Sequence, residues 1–446
     1  MNLSNDSNGP PFFVNFNQDT TSFAVGTGEG YKLYSLQNID SLDQVYVYDG
    51  DEIGIVERLF SSSLVVLVSQ AENFRLTICH FRKGTEICNY KYPSQIRSVR
   101  LNRERLAVLT DDCIFLHDIL NMKMVHTIRD APYNAMGVCA LSTSKEANYL
   151  AYPGKDSSGQ VMLFDTVHLK HALTINAHAS PVVALAFSMD GKMIATASEK
   201  GTVIRVFSTK TAAKMFEFRR GLKRCVTIYT LAFSTDNAFL CASSNTETVH
   251  VFKLDATSSG PAASSSAAAA AASPETEKAE ASQDQSWMSY FGSVAQAPAR
   301  YLPSQLTSMT DGLAQPRAFA FAKLPETGHR TTCAFLCASQ DNPIPRVLVA
   351  CGDGHLYVYN VKPEGGQCDL ATSHLIRPSL VAEPEPTPDA ATSGIVGGLA
   401  NLSVHGSPSS HSVSESSAAA EALPATDPAA EAAAASAPEQ CMDYEI

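Results

Sequence analysis

Two adjacent arginines, Arg219 and Arg220, in the run Phe218-Arg219-Arg220-Gly221, carry the most concentrated anion-binding chemistry in this chain. A guanidinium presents a fixed fork of N–H donors that fits phosphate oxygens. Neighbouring residues on an extended strand point to opposite sides, so the pair can serve two pockets placed back to back. The flanking sequence repeats on either side of the pair. Arg205 and His250 each precede a Val-Phe dipeptide, which gives each pocket its own cationic or near-cationic wall. The plainer alternative is a solvated strand end in which the arginines pair with Glu217 or Glu199.

Positioning these residues requires a regular array of strands. Ala197-Ser198-Glu199-Lys200-Gly201-Thr202-Val203-Ile204-Arg205-Val206-Phe207 aligns without gaps to Ala242-Ser243-Ser244-Asn245-Thr246-Glu247-Thr248-Val249-His250-Val251-Phe252. Ala186-Phe187-Ser188-Met189-Asp190 matches Ala232-Phe233-Ser234-Thr235-Asp236. A period of roughly 40–45 residues marks a β-propeller of the WD type. Short β-branched and aromatic runs broken by Asp190-Gly191 and Lys200-Gly201 read as strands and turns. Weaker units, including Leu64–Val68, Leu106–Leu109 and Arg346–Ala350, bring the count to seven. The expected fold is an all-β, seven-bladed, WD40-like β-propeller. A strand near Phe12–Phe16 is expected to close the ring beside the last blade, which would remove an open edge.

The expected organisation is a flexible N-terminus over 1–11 and blades over 12–255. An inserted loop over 256–316 interrupts the sixth blade, the propeller resumes over 317–378, and a disordered acidic tail follows over 379–446. The net charge of −12 comes mostly from that tail, since Val381 to Ile446 holds ten acidic residues and no Lys or Arg. The remainder is nearly neutral, with 35 acidic against 33 basic residues. Its charge is uneven. From Lys192 to Arg224 nine basic residues face only Glu199 and Glu217, the pattern of a surface that meets a polyanion. The eleven cysteines show no metal-ligand spacing and read as reduced thiols of a cytosolic protein.

The insertion opens with Ser, Ala, Pro and Gly, a composition that reads as loop or disorder. Further on, Trp287, Tyr290, Phe291 and Val294 fall at helical spacing on one face. Trp and Tyr favour a bilayer interface, so membrane insertion is one reading. A segment docked back on the propeller wall is the other.

These motifs resemble the PROPPIN family, in its WIPI-type branch of WD-repeat proteins interacting with phosphoinositides. The resemblance covers roughly Phe16 to Gly366. It is carried by Phe218-Arg219-Arg220-Gly221, the two repeats quoted above, Glu57-Arg58-Leu59-Phe60-Ser61-Ser62-Ser63-Leu64 and Lys83-Gly84-Thr85-Glu86-Ile87-Cys88-Asn89-Tyr90. It implies a cytoplasmic scaffold in autophagosome formation, recruited to phagophore and endosomal membranes by phosphatidylinositol 3-phosphate and phosphatidylinositol 3,5-bisphosphate. Carried over by position, a first pocket uses Arg219 with Arg205, His178, Thr196, Ser198, Gly201 and Thr202. A second uses Arg220 with Gly221, Ser244, Thr246, Thr248 and His250. His178 also sits where many WD repeats keep a structural histidine, and Ser198 and Thr202 also suit turn positions. Two shallow pockets on one membrane act as a bivalent clamp, and the aromatic insertion would add apolar burial. The Ala/Ser-rich start of the insertion departs from the family.

A second basic zone includes Arg103, Arg105 and Lys123. It reads either as a solvated face or as a groove between blades two and three for an acidic peptide, and the resemblance implies that such a peptide would belong to the autophagy conjugation machinery. Gly154-Lys155-Asp156 lacks the remainder of a P-loop, and no nucleophile elbow occurs. The sequence therefore implies no enzyme, metal, cofactor or nucleic-acid ligand, and a monomer. The rival function is a WD-type protein scaffold whose basic zone meets an acidic protein.

Overall fold

The computed structural model describes residues 1–4, 12–155, 158–220, 225–255, 318–338 and 343–377. Seven antiparallel sheets follow one another along the chain, one per blade: 12–49, 53–91, 96–128, 140–176, 182–219, 228–253 completed by 320–323, and 331–375. The first strand of every blade lines the central channel. The second strand of each blade lies between its first and third strands, and its two faces are buried against the neighbouring blades. In Leu64–Ser69 every residue but the last is buried. At the rim, Thr85–Lys91 has no buried residue and carries the charged side chains. Burial on both faces explains why the inner strands read as continuous β-branched runs and the rim strands do not.

Ring closure differs from the sequence expectation. Phe12–Phe16 does not join the last blade. It pairs antiparallel with Ser22–Thr27 and forms the innermost strand of blade one. Blade seven is complete without it. The seam is closed by apolar packing: Leu3, Phe12, Val14 and Phe23 meet Ala334, Leu348, Leu356 and Val358. Phe12 and Val14 are fully buried there, so burial against blade seven accounts for a strand that the sequence pattern places at that seam without fixing its sheet.

The two repeats that carry the arginine pair share their details. Ser188 Oγ donates to Asp190 Oδ1 at 2.7 Å and accepts from Met193 N at 2.9 Å. Ser234 does the same with Asp236 and Phe239 at 2.5 and 2.8 Å. One feature corrects the ungapped alignment. The register pairs Thr196 with Arg205 in blade five and Ala242 with His250 in blade six. Thr196, not Ala197, is therefore the counterpart of Ala242, and the turn before His250 is one residue shorter than the turn before Arg205. Ser198 and Ser244 correspond, because each closes the pairing with the innermost strand.

In blade six the chain leaves the sheet after Thr248–Lys253 and returns as Ala320–Lys323. The returning strand is capped by a short parallel pairing with Gly366–Gln367 of the last blade. The described part of the chain holds one helical turn, the 3-10 segment Phe81–Lys83. None of its helices is long and apolar enough to cross a membrane.

Candidate functional site: paired anion pockets

Blade five ends in the rim strand Lys214–Arg219, and Arg220 follows it. Arg219 lies opposite Val203 and is exposed. Arg220 turns toward blade six: its Nη2 donates to the hydroxyl of Thr246 and approaches the Thr248 carbonyl at 3.4 Å. The partial burial that this reach requires lowers the Arg220 pKa to about 10.

The blade-six pocket holds atoms that lack partners. Ser244 Oγ and Thr246 Oγ1 are 3.2 Å apart, and His250 Nε2 meets Thr248 Oγ1 at 3.2 Å. Arg220 Nε and His250 Nδ1 are both buried with no hydrogen bond among the described residues. Unsatisfied buried polar atoms are costly and uncommon. One belongs to the Arg220 guanidinium and the other to the His250 imidazole, two side chains whose N–H groups suit an oxyanion. Burial, then the positive charge of Arg220, lowers the His250 pKa to about 4, so the imidazole is neutral near pH 7.

The blade-five pocket is built differently. Arg205 Nε donates to Glu217 Oε2 at 2.9 Å and Nη1 to the Ala177 carbonyl at 2.7 Å. Arg205 Nη1 also lies 3.5 Å from His178 Nδ1, and His178 Nε2 lies 2.9 Å from Thr196 Oγ1. Since arginine only donates, Nδ1 accepts and Nε2–H donates to Thr196, whose hydroxyl in turn donates to the Arg205 carbonyl at 3.3 Å. Both His178 nitrogens thus have protein partners, which favours the structural role for this side chain. Burial, then Arg205, lowers its pKa to about 4. Thr196 is fully buried beneath it, and Ser198 is buried at the end of the same strand.

Gly201 adopts φ +60°, and a Cβ there would lie 1.6 Å from the Val226 carbonyl oxygen. The adjoining Thr202 carbonyl accepts from Arg220 N at 3.1 Å, which ties this turn to the arginine pair. Gly221 lies outside the described residues, as do Trp287, Tyr290, Phe291 and Val294.

The sequence alone offers Glu217 only as a partner for the arginine pair. The structure shows it as the hub of blade five's rim, bound to Arg205 and also to Lys214 Nζ at 2.7 Å. Burial alone would raise its pKa. Hydrogen bonds and charge from Lys214 and Arg205 outweigh that and hold it at about 2. The cross-strand position of Glu217 opposite Arg205 was the available signal, once strand ends were known.

The second basic zone divides. The Arg103 guanidinium lies 4.1 Å from the centre of the Phe60 ring of blade two. Arg105 turns away from that groove, to the Thr166 carbonyl of blade four at 2.9 Å and to Asp118 at 3.2 Å. Lys123 is exposed. No group of acidic, histidine and cysteine side chains suited to a metal occurs among the described residues.

With this geometry in place, comparison with known proteins decides the family. The PROPPIN family model matches residues 12–377. The chain belongs to the PROPPIN family. This PROPPIN is 49% identical over 386 residues to WD repeat domain phosphoinositide-interacting protein 2 of Mus musculus, covering 85% of this chain and 81% of that protein. It is 46% identical over 370 residues to WD repeat domain phosphoinositide-interacting protein 1 of Homo sapiens, covering 82% and 77%. Autophagy-related protein 18 of Caenorhabditis elegans is 37% identical over 374 residues, covering 82% of this PROPPIN and 86% of that chain. Among solved structures, Hsv2 of Kluyveromyces lactis superposes with a TM-score of 0.60 at 20% identity, over 83% of this chain and all of that one. At that identity the likeness speaks for the propeller fold alone.

Proposed function

We propose that this PROPPIN is a phosphoinositide-binding scaffold of autophagosome formation, held at membranes by two inositol-phosphate pockets and performing no catalysis. The observation that carries the reading is the reach of Arg220 from blade five into blade six, beside two buried atoms without partners, Arg220 Nε and His250 Nδ1. The relatives named for phosphoinositide interaction and autophagy support it. The ligands are phosphatidylinositol 3-phosphate and phosphatidylinositol 3,5-bisphosphate. Arg219, Arg205, Ser198 and Thr202 bound one pocket, and Arg220, Ser244, Thr246, Thr248 and His250 bound the other. His178, Thr196 and Gly201 hold the first in shape, and Gly221 carries the chain out of the strand. A second contact on the same bilayer becomes intramolecular once the first has formed, so individually weak sites suffice. Trp287, Tyr290, Phe291 and Val294 of the inserted segment add apolar insertion.

The chain acts as a cytoplasmic monomer recruited to phagophore and endosomal membranes. The face near Arg103 and Lys123, beside the exposed Leu120, Met124 and Val125, is the surface for an autophagy protein partner. Vesicle flotation tests the main reading. The whole chain is expected to float with vesicles that contain phosphatidylinositol 3-phosphate and to stay behind with vesicles that lack it. The double substitution Arg219→Thr, Arg220→Thr is expected to abolish flotation without lowering the melting temperature. Flotation of the double variant at the wild-type level would refute the pocket assignment.

A further inference from the structure

The two pockets occupy equivalent places in adjacent blades, yet their rim strands differ at the residue that decides their charge. In blade five the rim residue opposite Arg205 is Glu217. In blade six the rim residue opposite His250 is Phe321. A carboxylate thus faces one pocket's cationic wall and an apolar ring faces the other. Glu217 is 14% exposed, and its Oε2 holds both Arg205 Nε at 2.9 Å and Lys214 Nζ at 2.7 Å. With Nη1 bound to the Ala177 carbonyl, two of the three Arg205 guanidinium nitrogens are committed within the protein. The blade-six pocket retains Arg220 Nε and His250 Nδ1 without partners.

Resting on the function proposed above, we infer that Glu217 makes the two pockets unequal. By clamping Arg205 and adding a fixed negative charge, it leaves blade five as the weaker site for an inositol phosphomonoester, so the Arg220–His250 pocket fills first. Glu217 acts as a positioning and charge-setting residue rather than a ligand. Two equal pockets would bind in one step, whereas unequal ones let the protein land through blade six and engage blade five as the density of headgroups rises.

Calorimetric titration of the full chain with soluble inositol 1,3-bisphosphate tests this, with a parallel arm on vesicles carrying phosphatidylinositol 3-phosphate to separate free headgroup from lipid. Wild type is expected to show a tighter and a weaker phase. Arg220→Ala removes the tighter phase, and Arg219→Ala removes the weaker. Adding Glu217→Gln to Arg220→Ala strengthens the residual phase about three- to tenfold, the size of one like-charge repulsion at a partly screened separation. Glu217→Asp keeps the charge and leaves that phase weak. The gain from Glu217→Gln shrinks as salt is raised, a response that a purely structural role would not give. On vesicles, Arg220→Ala costs more retention than Arg219→Ala. The inference is overturned if Glu217→Gln leaves the residual phase unchanged or weaker, or if Arg219→Ala removes the tighter phase. If wild type binds neither the soluble headgroup nor the vesicle, the proposed function itself fails, and the ranking of pockets falls with it.

Discussion

Arg220 Nη2 donates to the hydroxyl of Thr246, so an arginine that follows the last strand of blade five belongs to the pocket of blade six. Its neighbour Arg219 lies across from Val203 within blade five. The junction between the two blades therefore passes between consecutive residues of the chain. Thr246 is the test of this arrangement. Thr246→Val keeps the shape and removes the oxygen that receives Arg220. A hydrogen bond made by a charged group contributes about 1.5–3 kcal/mol, so headgroup affinity measured by calorimetry is expected to fall about ten- to 150-fold at the blade-six pocket. The blade-five phase should remain. Loss of both phases together would show that Thr246 supports the fold rather than the pocket.

Gly201 offers a second test, this one of the turn that joins Arg220 N to the Thr202 carbonyl. A left-handed φ of +60° already disfavours a side chain, and the Val226 carbonyl oxygen occupies the space a Cβ needs. Gly201→Ala is expected to destabilise the propeller by about 2–4 kcal/mol and to weaken headgroup binding with it. Denaturant unfolding followed alongside binding separates the two effects. Wild-type stability in this variant would mean the turn can relax away from Val226.

Much of this was legible in the sequence for a physical reason. Blades repeat, and repeats preserve turn chemistry, so the Ser188–Asp190 and Ser234–Asp236 turns announced two equivalent units. The equivalence of Arg205 and His250 followed from the Val-Phe that succeeds each. The missing turn residue before His250 did not show, because an ungapped match of Ala-Ser to Ala-Ser looked better than the true register of Thr196 to Ala242. The role of Glu217 was equally hidden. A cross-strand pair 12 residues apart depends on where a hairpin turns and where a bulge falls, and blade five has a register shift between Val206 and Phe207. Ring closure is not legible in the sequence, because the pattern of Phe12–Phe16 states that a strand is buried, not which sheet it pairs with.

The seam between the first and last blades gives a third prediction. Among the described residues no strand is shared across it; Phe12, Val14 and Phe23 pack on Leu348, Leu356 and Val358, and an Arg346–Asp40 ion pair and a His374 contact to the Ile39 carbonyl cross it as well. Phe12 is fully buried. Phe12→Ala is expected to cost about 3–5 kcal/mol, as large as a loss in the middle of a blade, and hydrogen exchange is expected to rise first in blades one and seven. Uniform exchange across all seven blades would show that the seam is not where the ring opens.

His178 and His250 contribute to the response to acid, as does His117, whose pKa burial also lowers. His178 and His250 have pKa values lowered to about 4 in the folded protein, against about 6.5 in an unfolded chain. Between those values the unfolded state binds more protons than the folded one, so stability is greatest above pH 6.5 and is lost as pH falls toward 4. Glu217, held at about 2, contributes stability that begins to fade only near the ordinary carboxylate range, at lower pH. Thermal melts from pH 7.5 to 5 therefore report the histidines before the carboxylate. His250→Asn cannot take up a proton and is expected to flatten the fall in melting temperature over that interval relative to wild type. A bound inositol phosphate works in the opposite sense, because an anion beside His250 favours its protonated form. Ligand-induced stabilisation is then expected to grow from pH 7.5 to 6 in wild type and to grow less in His250→Asn. An identical pH dependence of ligand stabilisation in the two proteins would remove His250 from the pocket.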